Sequence, residues 1–313
     1  MTSLSNRAER AVRIATEAGR RLGLRADEPR VLHDVFNVLV HLAPAPVVVR
    51  VPSLTLVPAE ALVAKQRREL AVAGWLADAG APVVGPSPLV PREPVECEGL
   101  SLTFWEYVDE VDPIAEAMAA DPQALEARFA EQTGWAAALH AELAGYPGEL
   151  PTLSPLVPAT GEALDRLARQ RPEFLTAGDL DRAGQEYATL EALVRDFPAY
   201  FPEARLQALH GDSPAYNLLR TRTGHLFSDF EDVTRGPVEW DLTLAGPRAL
   251  EEYERASGTR VDRNLLEVME GARLLQVVSA LAVVPLMPEL GPTLEPAVAE
   301  WRARTPLTLP GVS

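Results

Sequence analysis

The sequence predicts an α+β chain in two lobes: a small N-terminal lobe with an antiparallel β-sheet plus a helix, and a larger, mainly helical C-terminal lobe. Three observations predict it. β-forming residues crowd residues 30–52, apolar residues recur at helical spacing from Asp109 onward, and short β-forming runs return only around residues 206–232. At 313 residues the chain can bury a sizeable core and divide in two. The expected division is 1–107, with an N-terminal helix, and 108–313.

Each element follows from local chemistry. Residues 1–23 read as an amphipathic, arginine-bearing helix. Val31-Leu32, residues 36–42 and Val47-Val48-Val49-Arg50-Val51 read as strands, with Ala43-Pro44-Ala45-Pro46 as a turn and Pro52 as a stop. Residues 59–79 carry Leu62, Leu70, Trp75 and Leu76 at helical spacing, and Gly80 ends that helix. Residues 81–98 are proline-rich and read as a loop with a short edge strand at Val83-Val84, followed by a strand over 100–107. Helices are expected at 122–143, with Asp121 as N-cap, and at 159–170, 180–196, 247–254 and 262–284. Residues 285–313 should hold a last short helix and a tail.

Composition excludes several classes. The only cysteine, Cys97, allows no intrachain disulfide. The N-terminus has no apolar h-region, and no stretch approaches eighteen uninterrupted apolar residues, so a cytoplasmic protein without a membrane span is expected. A net charge of −16 argues against a nucleic-acid partner and is compatible with a cationic small molecule, although an acidic surface also serves solubility. There is no Gly-x-x-x-x-Gly-Lys loop, no common zinc spacing and no Gly-x-Ser-x-Gly elbow.

The residues with chemistry lie where the helices break. His210-Gly211-Asp212-Ser213-Pro214-Ala215-Tyr216-Asn217 is followed, twelve residues after Asn217, by Asp229-Phe230-Glu231-Asp232. Phosphoryl transfer from Mg·ATP needs an acid at the attacking hydroxyl, and an Asn and a second Asp to hold metal against the phosphates. Protein kinases meet that need with H-R-D-x-x-x-x-N and a later Asp-Phe-Gly. Asp212 and Asn217 keep the same gap of four, with Gly211 in place of Arg. Asp212 is therefore expected to be catalytic, orienting the acceptor hydroxyl, and Asn217 and Asp229 to ligate Mg²⁺ through oxygen. Singly, each has an ordinary reading as a loop acid or turn former; the joint spacing carries the chemistry. Glu231 and Asp232 could assist the metal or face a substrate, and Asp232 reads better as a solvated acid.

This pattern, H-G-D-x-x-x-x-N with the later Phe227-Ser228-Asp229-Phe230-Glu231, resembles that of the aminoglycoside phosphotransferase and choline kinase-like family. These are small-molecule kinases with a bilobal, protein-kinase-like fold. The resemblance runs from about residue 30 to about residue 246. It implies ATP and Mg²⁺ as cofactors and a small-molecule hydroxyl as phosphate acceptor, be it aminoglycoside-like, an amino alcohol or a sugar. It also implies that His210 braces the metal loop and that Asp241, in Glu239-Trp240-Asp241-Leu242, hydrogen-bonds the catalytic-loop backbone. In this fold class the acceptor pocket is built by C-lobe segments, here 109–112 and 247–262.

The nucleotide half departs from the usual pattern. A kinase β3 strand ends in Val-Ala-Ile-Lys, but here Val47-Val48-Val49-Arg50 puts an arginine at that place. Arg50 can hold phosphates with its forked, permanent charge, and Glu69 on the next helix is its natural ion-pair partner. The only lysine, Lys65, sits one turn before Glu69 and reads as an i,i+4 pair with it. The loop over the phosphates would be His33-Asp34-Val35-Phe36-Asn37, which has no glycine. Phe104-Trp105-Glu106-Tyr107-Val108 resembles the connection between kinase lobes, where the Glu106 C=O and Val108 N–H would pair with adenine; an ordinary buried strand fits it too. The competing function is a catalytically inactive kinase fold that only binds ligand, motivated by Arg50 and the missing glycines.

Overall fold

The computed structural model describes residues 5–54, 57–113, 121–170, 172 and 174–311. In chain order its elements are α1 (Asn6–Arg21), β1 (Ala26–Asp34), β2 (Asn37–Pro44), β3 (Val47–Pro52), α2 (Ala59–Asp78), β4 (Val95–Cys97), β5 (Leu100–Glu106), α3 (Pro122–Leu143), α4 (Leu156–Gln170), α5 (Ala177–Arg195), the single turn α6 (Phe197–Tyr200), β6 (Gln207–Leu209), β7 (Leu218–Thr221), β8 (Gly224–Phe227), β9 (Thr234–Gly236), α7 (Pro247–Ser257), α8 (Arg263–Ala280) and α9 (Leu290–Ala303). Two compact units result, Met1–Leu125 with Tyr216–Glu231, and Glu126–Ala215 with Asp232–Ser313. Each unit takes chain from two stretches, where the sequence reading used contiguous parts. The β7–β8 hairpin belongs to the first unit because β8 bonds its proline-rich loop: Val84 N–H donates to Phe227 O at 2.8 Å and Phe227 N–H to Pro82 O at 2.8 Å.

The first unit is built on an antiparallel sheet in the order β1-β2-β3-β5-β4. Burial alternates along β2, whereas all six residues of the central β3 are buried. Val47, Val49 and Val51 pack with Val38, Val40, Leu42, Leu102 and Phe104, and α1 lays Ala11, Ile14, Ala15 and Ala18 on this face. Period 2 on β3 sends Arg50 to the opposite face, with Thr103 as its cross-strand partner. β4 lies in the segment read as loop. It is too short to show periodicity, and it is paired through a two-residue turn in which Glu98 (φ 51°) and Gly99 (φ 75°) are both left-handed. Val83-Val84 forms only a bridge, from Val83 to Phe227.

The second unit packs α4, α5, α8 and α9 around Leu156, Leu167, Leu190, Met269, Leu275 and Trp301. Helix α5 starts at Ala177 rather than 180 because Thr176 and Asp179 form a capping box, and Asp262 caps α8 by accepting from the Asn264 and Leu265 N–H groups. The short β6–β9 pair, with Leu209 opposite Thr234, delivers the chain into His210-Gly211-Asp212. Among the described residues no helix is long and apolar enough to cross a membrane.

Candidate active site

In the first unit the site is an ionic cluster around one buried arginine. Arg50 Nη1 donates to Glu69 Oε1 at 2.7 Å and Oε2 at 2.9 Å, Nη2 donates to Asp229 Oδ1 at 2.9 Å, and Glu231 Oε2 lies 3.6 Å from Nη1. The guanidinium also sits 5.4 Å from the centre of the Trp105 ring. A strand buried on both faces cannot keep a lone charge, so Arg50 demands these acids. Burial works against the Arg50 charge, but Glu69, Asp229 and Glu231 outweigh it and hold its pKa above the ordinary value. Burial pushes the Glu69 carboxyl up to about 8, against the pull of Arg50. The expected Arg50–Glu69 pair is thus present. Lys65, read from sequence as a partner of Glu69, has its Nζ 3.5 Å from Glu231 Oε1, because Glu69 faces β3. Asn37 Nδ2 also donates to Glu231 Oε2, at 3.4 Å.

Removing the cation leaves a buried acid without its partner. Arg50→Met is expected to destabilise the fold by about 3–5 kcal/mol, the usual cost of breaking a buried pair. With Arg50 in place Glu69 keeps its proton to about 8, against an ordinary 4.5, and the loss of Arg50 lets that value rise further. The unfolded state releases its proton first in both proteins, and the variant's penalty relative to the parent grows as pH rises above about 8. Urea melts of parent and variant at about pH 7 and about pH 9.5 check this, and an equal penalty at both would refute it.

The β7–β8 hairpin brings the two expected metal ligands together at its open end. Leu218 pairs with Phe227, and the Asn217 carbonyl accepts from Ser228 N–H at 2.8 Å, so Ser228 stands opposite Asn217 and Asp229 is the next residue along. Asp229 adopts φ 63°, a left-handed conformation that Asp tolerates better than most residues and that gathers at ligand clamps. Its side chain is 41% exposed while bonded to Arg50. One carboxylate and one amide oxygen at the end of a hairpin suit a hard cation that fills its remaining positions with phosphate and water.

The connection read as a hinge borders a cavity of about 670 Å³, within the range of small-molecule pockets. Glu106, Tyr107 and Val108 line it with Leu89, His225 and Leu226. Tyr107 N–H donates to Pro46 O, in the turn before β3, at 3.0 Å, and the Tyr107 ring stacks on His41 at 3.8 Å. The glycine-free loop between β1 and β2 exposes Phe36, while Asp34 holds Arg7 at 2.7 Å and Ser5 Oγ at 3.0 Å.

In the second unit the catalytic loop is gripped from beneath. Asp241 is buried, and its carboxylate accepts from His210 N–H at 2.9 Å, Gly211 N–H at 2.8 Å and His140 Nε2 at 3.1 Å. Burial pushes Asp241 up, but His140, His210 and the Gly211 N–H together hold it below the usual carboxylate range. His140 Nδ1 in turn meets Tyr253 Oη at 2.8 Å. His210 is fully buried, and its Nδ1 accepts from Asp212 N–H at 3.3 Å. Gly211 has φ 93°, and a Cβ there would fall 1.9 Å from the Asp232 carbonyl oxygen. That explains the departure from the kinase template: this loop has no room for the usual Arg.

The sequence profile of the phosphotransferase enzyme family (APH) matches residues 2–281. The chain belongs to this family. The phosphotransferase has no match among curated proteins. Its fold is kinase-like and recurs in solved structures. A choline/ethanolamine kinase family protein from Mesorhizobium loti aligns over 94% of this chain and 96% of its own, with 18% identity and a TM-score of 0.59. The choline kinase LicA from Streptococcus pneumoniae covers 94% and 100%, at 13% identity and TM-score 0.62. The streptomycin–ATP–APH(2")-IIa ternary complex covers 97% and 98%, at 12% identity and TM-score 0.57.

Sequence reasoning did not reach every residue of this phosphotransferase's site. His140 sits on α3 and Arg273 on α8, with no motif around either. Arg273 Nη1 lies 3.4 Å from Asp212 Oδ1. The acids of α7 are less available than composition suggests: Glu254 takes Arg260 and Arg263, each at 3.0 Å, and the Val261 N–H, while Glu252 pairs with Arg255.

Proposed function

We propose that this phosphotransferase moves the γ-phosphate of Mg·ATP to a hydroxyl group of a small molecule in the cytoplasm. The observation that carries this reading is the Arg50 cluster, in which one buried cation holds both the α2 glutamate and the carboxylate that opens the Asp229-Phe230-Glu231 motif. In the proposed mechanism Arg50 holds the ATP phosphates and Glu69 keeps its fork aimed. Asn217 and Asp229 would hold Mg²⁺, which neutralises charge on the phosphates. Asp212 accepts the hydrogen bond of the acceptor hydroxyl and orients it, while His210 and Asp241 keep the loop in place. The backbone groups of Glu106 and Val108 pair with the adenine. Residues 1–107 and 108–313 serve as the nucleotide and acceptor lobes.

The acceptor is proposed to be an uncharged or cationic alcohol, and the protein's charge of −16 supports that class over an anionic one. The test is ATP turnover with aminoglycosides, amino alcohols and sugars, beside nucleotide binding with and without Mg²⁺. Mg²⁺-dependent product formation with one class supports the reading. ATP binding without turnover across the whole panel favours the inactive alternative, which the exposed Phe36 in a glycine-free loop motivates.

A further inference from the structure

We infer that Arg273 is a positioning residue that holds the Asp212 carboxylate in its working orientation. This rests on the reading of Asp212 as the group that meets the acceptor hydroxyl. Arg273 lies on α8, sixty-one residues beyond Asp212, and nothing in the H-G-D motif points to it.

The geometry assigns each of its donors. Nε donates to Thr243 Oγ1 at 3.1 Å. Nη1 donates to Gln276 Oε1 at 2.7 Å and Asp212 Oδ1 at 3.4 Å. Nη2 donates to Gly211 O at 3.1 Å and Trp240 O at 3.5 Å. The guanidinium stacks 3.8 Å from the centre of the Trp240 ring, and Trp240 Nε1 donates to the same Gly211 oxygen at 2.9 Å. Arg273 is only 5% exposed. Burial lowers its pKa, and Asp212, Asp241 and Asp232 raise it again; an arginine so placed stays charged.

Two consequences follow. First, Gly211 has no side chain to hold the loop. Its carbonyl is instead bonded by Trp240 and Arg273 while its N–H is taken by Asp241, so both faces of this peptide position are clamped. Second, the Asp212 side chain is half exposed, and an exposed carboxylate samples several rotamers unless a partner selects one. Arg273 is such a partner. Its own position is over-determined by Thr243, Gln276 and Trp240, so it acts as a fixed point to which the carboxylate is tied.

The test compares R273Q, R273K, D212N and the double variant D212N/R273Q, by kcat, by KM for ATP and by thermal melting. R273Q is expected to lower kcat by about 10- to 100-fold, with KM for ATP within about twofold. R273K should recover part of that loss, because an ammonium can still hold Asp212. In the double variant the losses should not multiply: once Asp212 is gone, R273Q should add at most about twofold. Fully multiplicative losses, or equal losses in R273K and R273Q with the same drop in melting temperature, would reduce Arg273 to a fold clamp and overturn the proposal. Should R273Q fail to fold, R273K and its cycle with D212N decide by the same criterion. A D212N enzyme with unchanged kcat removes the reading of Asp212 itself, and the proposal with it. A D212N enzyme that loses kcat beside a fully active, folded R273Q removes only the proposal.

Discussion

Asp229→Ala is expected to cut turnover by about 10³-fold or more, the scale on which single charge-neutralising groups act in phosphoryl transfer. The fold should survive. Arg50 gathers Glu69, Asp229 and Glu231, and Lys65 sits on Glu231. Deleting Asp229 leaves two acids facing two cations, and Arg50 keeps its bidentate bond to Glu69. The variant is expected to melt near the parent temperature and to respond weakly to Mg²⁺. Steady-state rates across a Mg²⁺ titration, set beside circular dichroism melts, provide the check. Undiminished Mg²⁺-dependent turnover would show that the carboxylate has no part in holding the metal.

The second large effect is expected at Asp212. Asp212→Asn should lower kcat by about 10²- to 10⁴-fold while leaving ATP affinity nearly unchanged, since the side chain meets the acceptor and not the nucleotide. Asn is the informative replacement because it keeps the size of the side chain and the backbone N–H for His210 Nδ1 while removing the carboxylate charge that Arg273 holds. A loss confined to KM for ATP would place the residue in the wrong half of the reaction.

Much of this could be read from residue order alone. The alternation of β2, the apolar run of β3 broken only by Arg50, and the spacing from His210 to Asp229 are short-range signals, and each survives folding. The pairing of Arg50 with Glu69 was legible for a similar reason: a charge in the middle of an apolar strand must be answered, and the next helix offered one acid at the right height. What sequence order hid are contacts set by the fold. Arg273 and His140 reach the catalytic loop from helices whose own patterns speak only of packing. The β4 strand escaped because three residues cannot establish a period, and its Glu-Gly turn is not among the strong hairpin signals. The β7–β8 hairpin was placed in sequence with the helical part, while its hydrogen bonds to residues 82–84 gather it into the first unit.

The guanidinium at the centre of the first unit also decides which reagents can find this protein. Nucleotide-directed probes that acylate an amine beside bound phosphate require a nucleophilic nitrogen, and an arginine buried against three carboxylates offers none at any ordinary pH. The sole lysine side chain, Lys65, stands on α2 with its amine 3.5 Å from Glu231. A proteome inventory built on amine labelling would therefore pass over Arg50 and mark this chain, if anywhere near the cluster, on α2 through Lys65.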